Sequence, residues 1–76
     1  MKHARKDYNR IQDPTNIIPE DEPVFLLRGQ DKFAADVVDF YATLVEVNGG
    51  DPDVVEASRK WAEKMREWPK HKIPDL

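Results

Sequence analysis

The second half of the chain carries two apolar stripes of matching period, divided by Asn48-Gly49-Gly50-Asp51. Before that break, Phe33, Val37, Phe40, Leu44 and Val47 recur in alternating steps of four and three residues. After it, Val54, Ser58, Trp61, Met65 and Trp68 repeat the same steps. This spacing brings side chains to one side of an α-helix, so each segment is expected to have a single apolar face. Two such faces joined by a short loop bury each other as an antiparallel hairpin. The expected fold class is therefore all-α, an antiparallel helical hairpin with an extended N-terminal segment over it. Phe40, Leu44, Trp61 and Met65 are expected to be buried.

Local signals set the boundaries. The first helix is expected from about Lys32 to Val47, with Asp31 as N-cap. Gly49 or Gly50 can adopt the left-handed conformation that ends it. Asp51 caps the second helix and Pro52 occupies its first position, where a missing N–H costs nothing. Asp53 and Glu56 favour the positive end of the helix dipole, and Pro69 stops the helix near Glu67 or Trp68. Glu56–Lys60 and Arg59–Glu63 are spaced to support it weakly.

The first part of the chain reads differently. Asp13-Pro14-Thr15-Asn16 has the residue order of a type I turn. Pro19 and Pro23 bracket Glu20-Asp21-Glu22 and exclude a regular helix there. Val24-Phe25-Leu26-Leu27 fits either a short buried strand or an extended cover. No second convincing strand accompanies it, so an extended cover or a short helical turn is expected. Three regions follow: an extended, partly mobile arm over residues 1–23, a helical-hairpin domain over 24–68 and an irregular tail over 69–76.

Seventy-six residues with no cysteine bury only about 60% of their unfolded surface and can add neither a disulfide nor a thiolate metal site. Self-association, with a dimer as the first expectation, is the natural further source of stability; a marginal monomer is the alternative. No apolar run approaches the roughly 20 residues that span a bilayer. The basic start is not followed by an apolar stretch, so it does not read as a secretory signal. A cytoplasmic protein is expected.

The net charge of −3 hides a block pattern. Lys2, Arg5, Lys6 and Arg10 make the start basic, and Arg59, Lys60, Lys64, Arg66, Lys70 and Lys72 do the same for the end. Between them, acidic residues face only Arg28 and Lys32. Such blocks either pair, within or between subunits, or remain solvated. Net negative charge argues against nucleic acid as a partner.

Catalysis finds little support. His3 and His71 lie near the ends without a Ser, Cys or carboxylate at triad-like spacing. No metal-ligand set, calcium loop, phosphate loop or cofactor fingerprint is present. A binding role is favoured instead. Arg28-Gly29-Gln30-Asp31-Lys32 places two cations and a glycine at the start of a helix, a pattern suited to a phosphate or nucleotide. The competing reading pairs Arg28 with Glu20, Asp21 or Glu22. Tyr8 and Arg10 form a second candidate, an aromatic beside a cation that can stack on and pair with a nucleotide. Phe25 and Trp68 are candidate interface residues, although Trp68 also suits a core cap.

The run Tyr8-Asn9-Arg10-Ile11-Gln12-Asp13-Pro14, followed by Ile18-Pro19-Glu20-Asp21-Glu22-Pro23-Val24-Phe25-Leu26-Leu27-Arg28-Gly29-Gln30-Asp31, resembles small proteins encoded by phages and prophages. That resemblance implies an accessory factor that binds a host protein or sequesters a host signalling molecule. It carries over no functional residue. Two roles are therefore expected to compete: a non-enzymatic protein that binds a host protein and itself, or an oligomer that holds an anionic small molecule such as a signalling nucleotide.

Overall fold

Capping chemistry decides where the first long helix ends and where the second begins. The computed structural model describes residues 1–8 and 13–75. Helix α1 spans Ala34–Val47 and helix α2 spans Pro52–Glu67. Asp51 accepts the Asp53 N–H at 2.9 Å, and Pro52 takes the first position of α2. Gly49 adopts φ +71°, and the C-terminal bonds of α1 run from Gly49 N–H to the Glu46 carbonyl (3.1 Å) and from Gly50 N–H to the Val45 carbonyl (2.8 Å). That pair forms a Schellman motif. A Cβ added at Gly50 would lie 2.5 Å from Val45 Cγ1, so the close approach requires glycine there. At the other end Trp68 is extended, as the proline after it demands.

Helix α1 begins later than its periodicity predicts, and its N-cap is Phe33, which makes no side-chain capping bond, in place of the expected Asp31. Asp31 still organises the entry, accepting the Phe33 N–H on its side chain at 2.8 Å and the Ala34 N–H on its carbonyl at 3.1 Å. The chain there also pairs with the C-terminal tail. Lys32 N–H donates to the Lys72 carbonyl at 2.9 Å, and Lys72 N–H to the Gln30 carbonyl at 2.8 Å. These bonds join the tail to the lead-in of α1, where the two helix ends lie open.

The hairpin forms, but through a different face of α1 than expected. The buried hydrophobic side chains are Ala34, Ala35, Ala42, Val55 and Ala62, and no large side chain among the described residues is fully enclosed. Phe40 is 63% exposed and Trp61 55%, while Leu44 is also exposed and Met65 half-buried. The expected burial of Phe40, Leu44 and Trp61 is therefore corrected. A second series, Ala35, Val38, Ala42 and Val45, steps along α1 with its own helical period and meets Val55, Ser58, Ala62 and Met65 of α2. Small side chains let the two backbones approach closely, and a two-helix layer has only one seam to fill.

Ion pairs fix the same register. Arg66 reaches Asp36 at 3.3 Å and also binds Asp39, while Arg59 reaches Glu46 at 3.4 Å. These pairs run across the hairpin and set Ala42 level with Ala62. The basic end and the acidic middle thus meet within one chain. The expected Glu56–Lys60 and Arg59–Glu63 pairs are not among the described ion pairs; Glu63 instead lies 3.6 Å from Arg66.

The fold is not strictly all-α. Strand β1, Lys2–His3, pairs in parallel with strand β2, Pro23–Val24. Lys2 N–H donates to the Glu22 carbonyl at 2.7 Å. The start of the N-terminal arm is thereby the second strand that the sequence lacked as a visible signal. The expected turn at Asp13 is present, with Asn16 N–H donating to the Asp13 carbonyl at 2.9 Å. His3 contributes no polar contact: both of its ring nitrogens are buried and without a hydrogen-bond partner.

Candidate functional site

Pairing β1 with β2 brings the N-terminal segment beside the cover segment and the tail, and a cleft of about 220 Å³ opens where the three meet. A short 3-10 turn at Lys6–Tyr8 presents Tyr8 to it, fixed by Tyr8 N–H donating to the Arg5 carbonyl at 3.2 Å. The cover segment contributes Phe25, Leu26, Leu27 and Arg28, followed by Gln30 and Asp31, and the tail contributes Lys72, Pro74 and Asp75.

The charges in this cleft are unequal in availability. The Arg5 guanidinium holds both oxygens of Asp7, at 3.0 and 2.7 Å, and donates to the Asp75 carbonyl at 2.8 Å. It also lies 4.8 Å from the centre of the Tyr8 ring. Its hydrogen bonds hold the Asp7 carboxyl below the usual carboxylate range, with the charge of Arg28 a smaller contribution. Lys72 pairs with Asp75 at 2.9 Å and likewise lowers the Asp75 carboxyl. Arg28 has no ion pair and no side-chain hydrogen bond among the described residues. It does not take up Glu20, Asp21 or Glu22 as a partner. Arg5 and Lys72 are thus committed to carboxylates, and among the described residues that line the cleft Arg28 is the cation without a carboxylate partner.

The residues singled out in the sequence separate into groups. Tyr8 and Arg28 share the cleft, and Phe25 forms part of its wall. Gly29 turns the other way: a Cβ there would sit 3.5 Å from Trp68 Cβ and 3.8 Å from Met65 Cα, in ordinary contact with α2. It lines a second groove with Leu27, Trp61, Met65 and Trp68, which Arg28 and Gln30 also border. Lys32 belongs to a third, with Asp36, Arg66 and His71. Arg10 lies outside the described residues. At the start of α1 the N–H groups of Lys32, Phe33 and Ala34 already have acceptors within the chain. Arg5 and Lys72 escaped the sequence reading as site residues, whereas Gln30 lay within the cluster it singled out; the Lys72–Asp75 spacing was the available signal for Lys72.

The cleft offers a guanidinium, an amide and two aromatic rings, while His71 lies elsewhere and hydrogen-bonds the Met65 carbonyl at 2.9 Å. Among the described residues no group of three or more metal-ligating side chains converges. No helix there is long and apolar enough to cross a membrane. Comparison of the chain with family models, with characterised proteins and with solved structures gave no match.

Proposed function

We propose that this is a non-enzymatic binding protein which, as an oligomer, takes up an anionic ring-bearing small molecule such as a signalling nucleotide and does not consume it. One observation carries the reading: Tyr8, Phe25 and Arg28, from separate stretches of the chain, line one cleft in which Arg28 has no partner among the described residues. A guanidinium recognises phosphate by paired, charge-assisted hydrogen bonds. Aromatic rings beside it supply stacking for a base without demanding one base identity. Arg5 and Lys72, held by Asp7 and Asp75, stiffen the walls and add positive field. The phage resemblance fits a factor that removes a host signal in the cytoplasm by holding it.

A panel of mono-, di- and cyclic nucleotides and inorganic phosphate, screened by thermal shift and titrated by calorimetry, tests this. At least one nucleotide should raise Tm and be recovered unchanged. Arg28→Ala should weaken its binding at least about tenfold, and Tyr8→Ala should weaken it too, because a charge-assisted hydrogen bond contributes about 1.5–3 kcal/mol. Lys32→Ala should leave it unchanged. Absence of binding across the panel, or indifference to Arg28→Ala, would refute the ligand reading.

The exposure of Phe25 (72%) and Trp68 (55%) favours a second reading, capture of a host protein through these side chains. A pull-down from host lysate in which Phe25→Ser and Trp68→Ser release a specific protein, with no nucleotide bound by the wild type, would select it.

A further inference from the structure

Helix α1 has two apolar faces and its own chain covers only one. Phe33, Val37, Phe40, Leu44 and Val47 point away from α2 and are each between 45 and 71% exposed. Their steps of four and three are those of a helix-pairing seam, in which side chains of one helix seat between those of another. We propose that a second copy of this chain covers this face, α1 against α1, in a two-fold dimer. The proposal rests on the oligomeric part of the reading above and not on the cleft.

Area points to an occupant. The chain exposes 6291 Å², whereas a compact monomer of 8.9 kDa would expose about 4800 Å². The excess, roughly 1500 Å², exceeds the ~800 Å² that each partner of a standard interface hides. Among the described residues the monomer's own buried core amounts to four alanines and one valine, far less than a domain of this size needs to be stable alone. An identical copy is present whenever the chain is made, and a repeating stripe is complementary to itself about a two-fold axis.

Ion pairs within the chain occupy the charges that border the stripe. The acidic groups of α1, Asp36, Asp39 and Glu46, are held by Arg66 and Arg59 on the edge that faces α2. The other border of the stripe carries Ala34, Tyr41 and Asn48 and no charge.

Sedimentation equilibrium of the full chain from about 1 to 300 µM should show a monomer–dimer equilibrium. Phe40→Glu and Leu44→Glu should each raise the dissociation constant about thirtyfold or more, as loss of a central anchor does. Because an obligate dimer can unfold when split, a second measurement uses the absence of native cysteine. Phe40→Cys should cross-link into a covalent dimer under mild oxidation, and Ala57→Cys on α2 should not. A wild type that stays monomeric would overturn the dimer and the oligomeric part of the reading together, including the case of a monomer that instead sediments with lipid vesicles. A wild-type dimer that tolerates Phe40→Glu and leaves Phe40→Cys uncross-linked would overturn only this surface.

Discussion

The two sides of α1 use the same period and have opposite fates. Toward α2 the helix presents Ala35, Val38, Ala42 and Val45; away from it stand Phe33, Val37, Phe40 and Leu44. Ala42 is fully buried and Phe40, two residues earlier, is 63% exposed. Periodicity identifies a helix with two seams, and side-chain size decides which one closes. A hairpin has room between its helices for methyl groups at close backbone approach, and aromatic rings there would hold the helices apart. The larger apolar side chains remain for contacts beyond the hairpin.

Crowding the inner seam is the strongest way to break that contrast. Ala42→Leu or Ala62→Leu, each at a fully buried site, should destabilise the fold by about 1–3 kcal/mol or more through overpacking. The loss, read by urea unfolding, should be the same at every protein concentration. Phe40→Ala should behave otherwise, with a penalty that grows as concentration rises, because the proposed dimer places the ring between chains. A concentration-independent loss of about 3–5 kcal/mol for Phe40→Ala, typical of a buried aromatic, would move Phe40 to the inside.

The loop that aligns the seams gives the next effect. Gly50→Ala forces a Cβ to within 2.5 Å of Val45 Cγ1 and should cost about 1–3 kcal/mol by displacing a packed side chain. Thermal unfolding would register it as a lower Tm with unchanged helix content at low temperature. Arg66→Gln should matter less. Its partners Asp36 and Asp39 are at the surface, so the loss should be near 0.2–1 kcal/mol and should shrink at high salt.

Outside the hairpin the expected change is in pH response. Asp7 and Asp75 titrate below their usual range because Arg5 and Lys72 hold them as carboxylates. A carboxyl with a depressed folded value contributes stability that is complete above its unfolded value and is lost as pH falls through the folded one. Acidification below about pH 4 should therefore loosen Arg5 and the tail first. Tyr8 ring resonances should shift while the far-ultraviolet helix signal persists; a simultaneous loss of both would contradict the separation. The smallest expected effect is at His3, whose buried ring nitrogens lack partners. His3→Leu should be neutral or slightly stabilising in the same unfolding assay.

How much was legible depends on the range of the interaction. Asp51, Pro52, Gly49 and Pro69 act on residues within one turn, so the helix ends could be read directly apart from the delayed start at Ala34. Choosing between seams could not, because Phe40 and Ala42 belong to series of equal period and only close contact with a second helix favours the small one. Two-residue strands have no period to detect, and the pairing of Lys2 with Pro23 spans a long closed loop. The cleft depends on that pairing. Tyr8 and Arg28 each stood out through local chemistry, whereas their shared wall, and the place of Lys72 and Asp75 in it, come from long-range folding.

Nuclear Overhauser contacts in a mixture of differently labelled chains distinguish the two faces in one spectrum. With alanines inside, the methyls of Ala42 and Ala62 give cross-peaks within one chain, and Phe40 ring protons give theirs between chains. Contacts from Phe40 to Trp61 within a single chain, with no Ala42–Ala62 cross-peak, would show that the hairpin closes on its aromatic stripe instead.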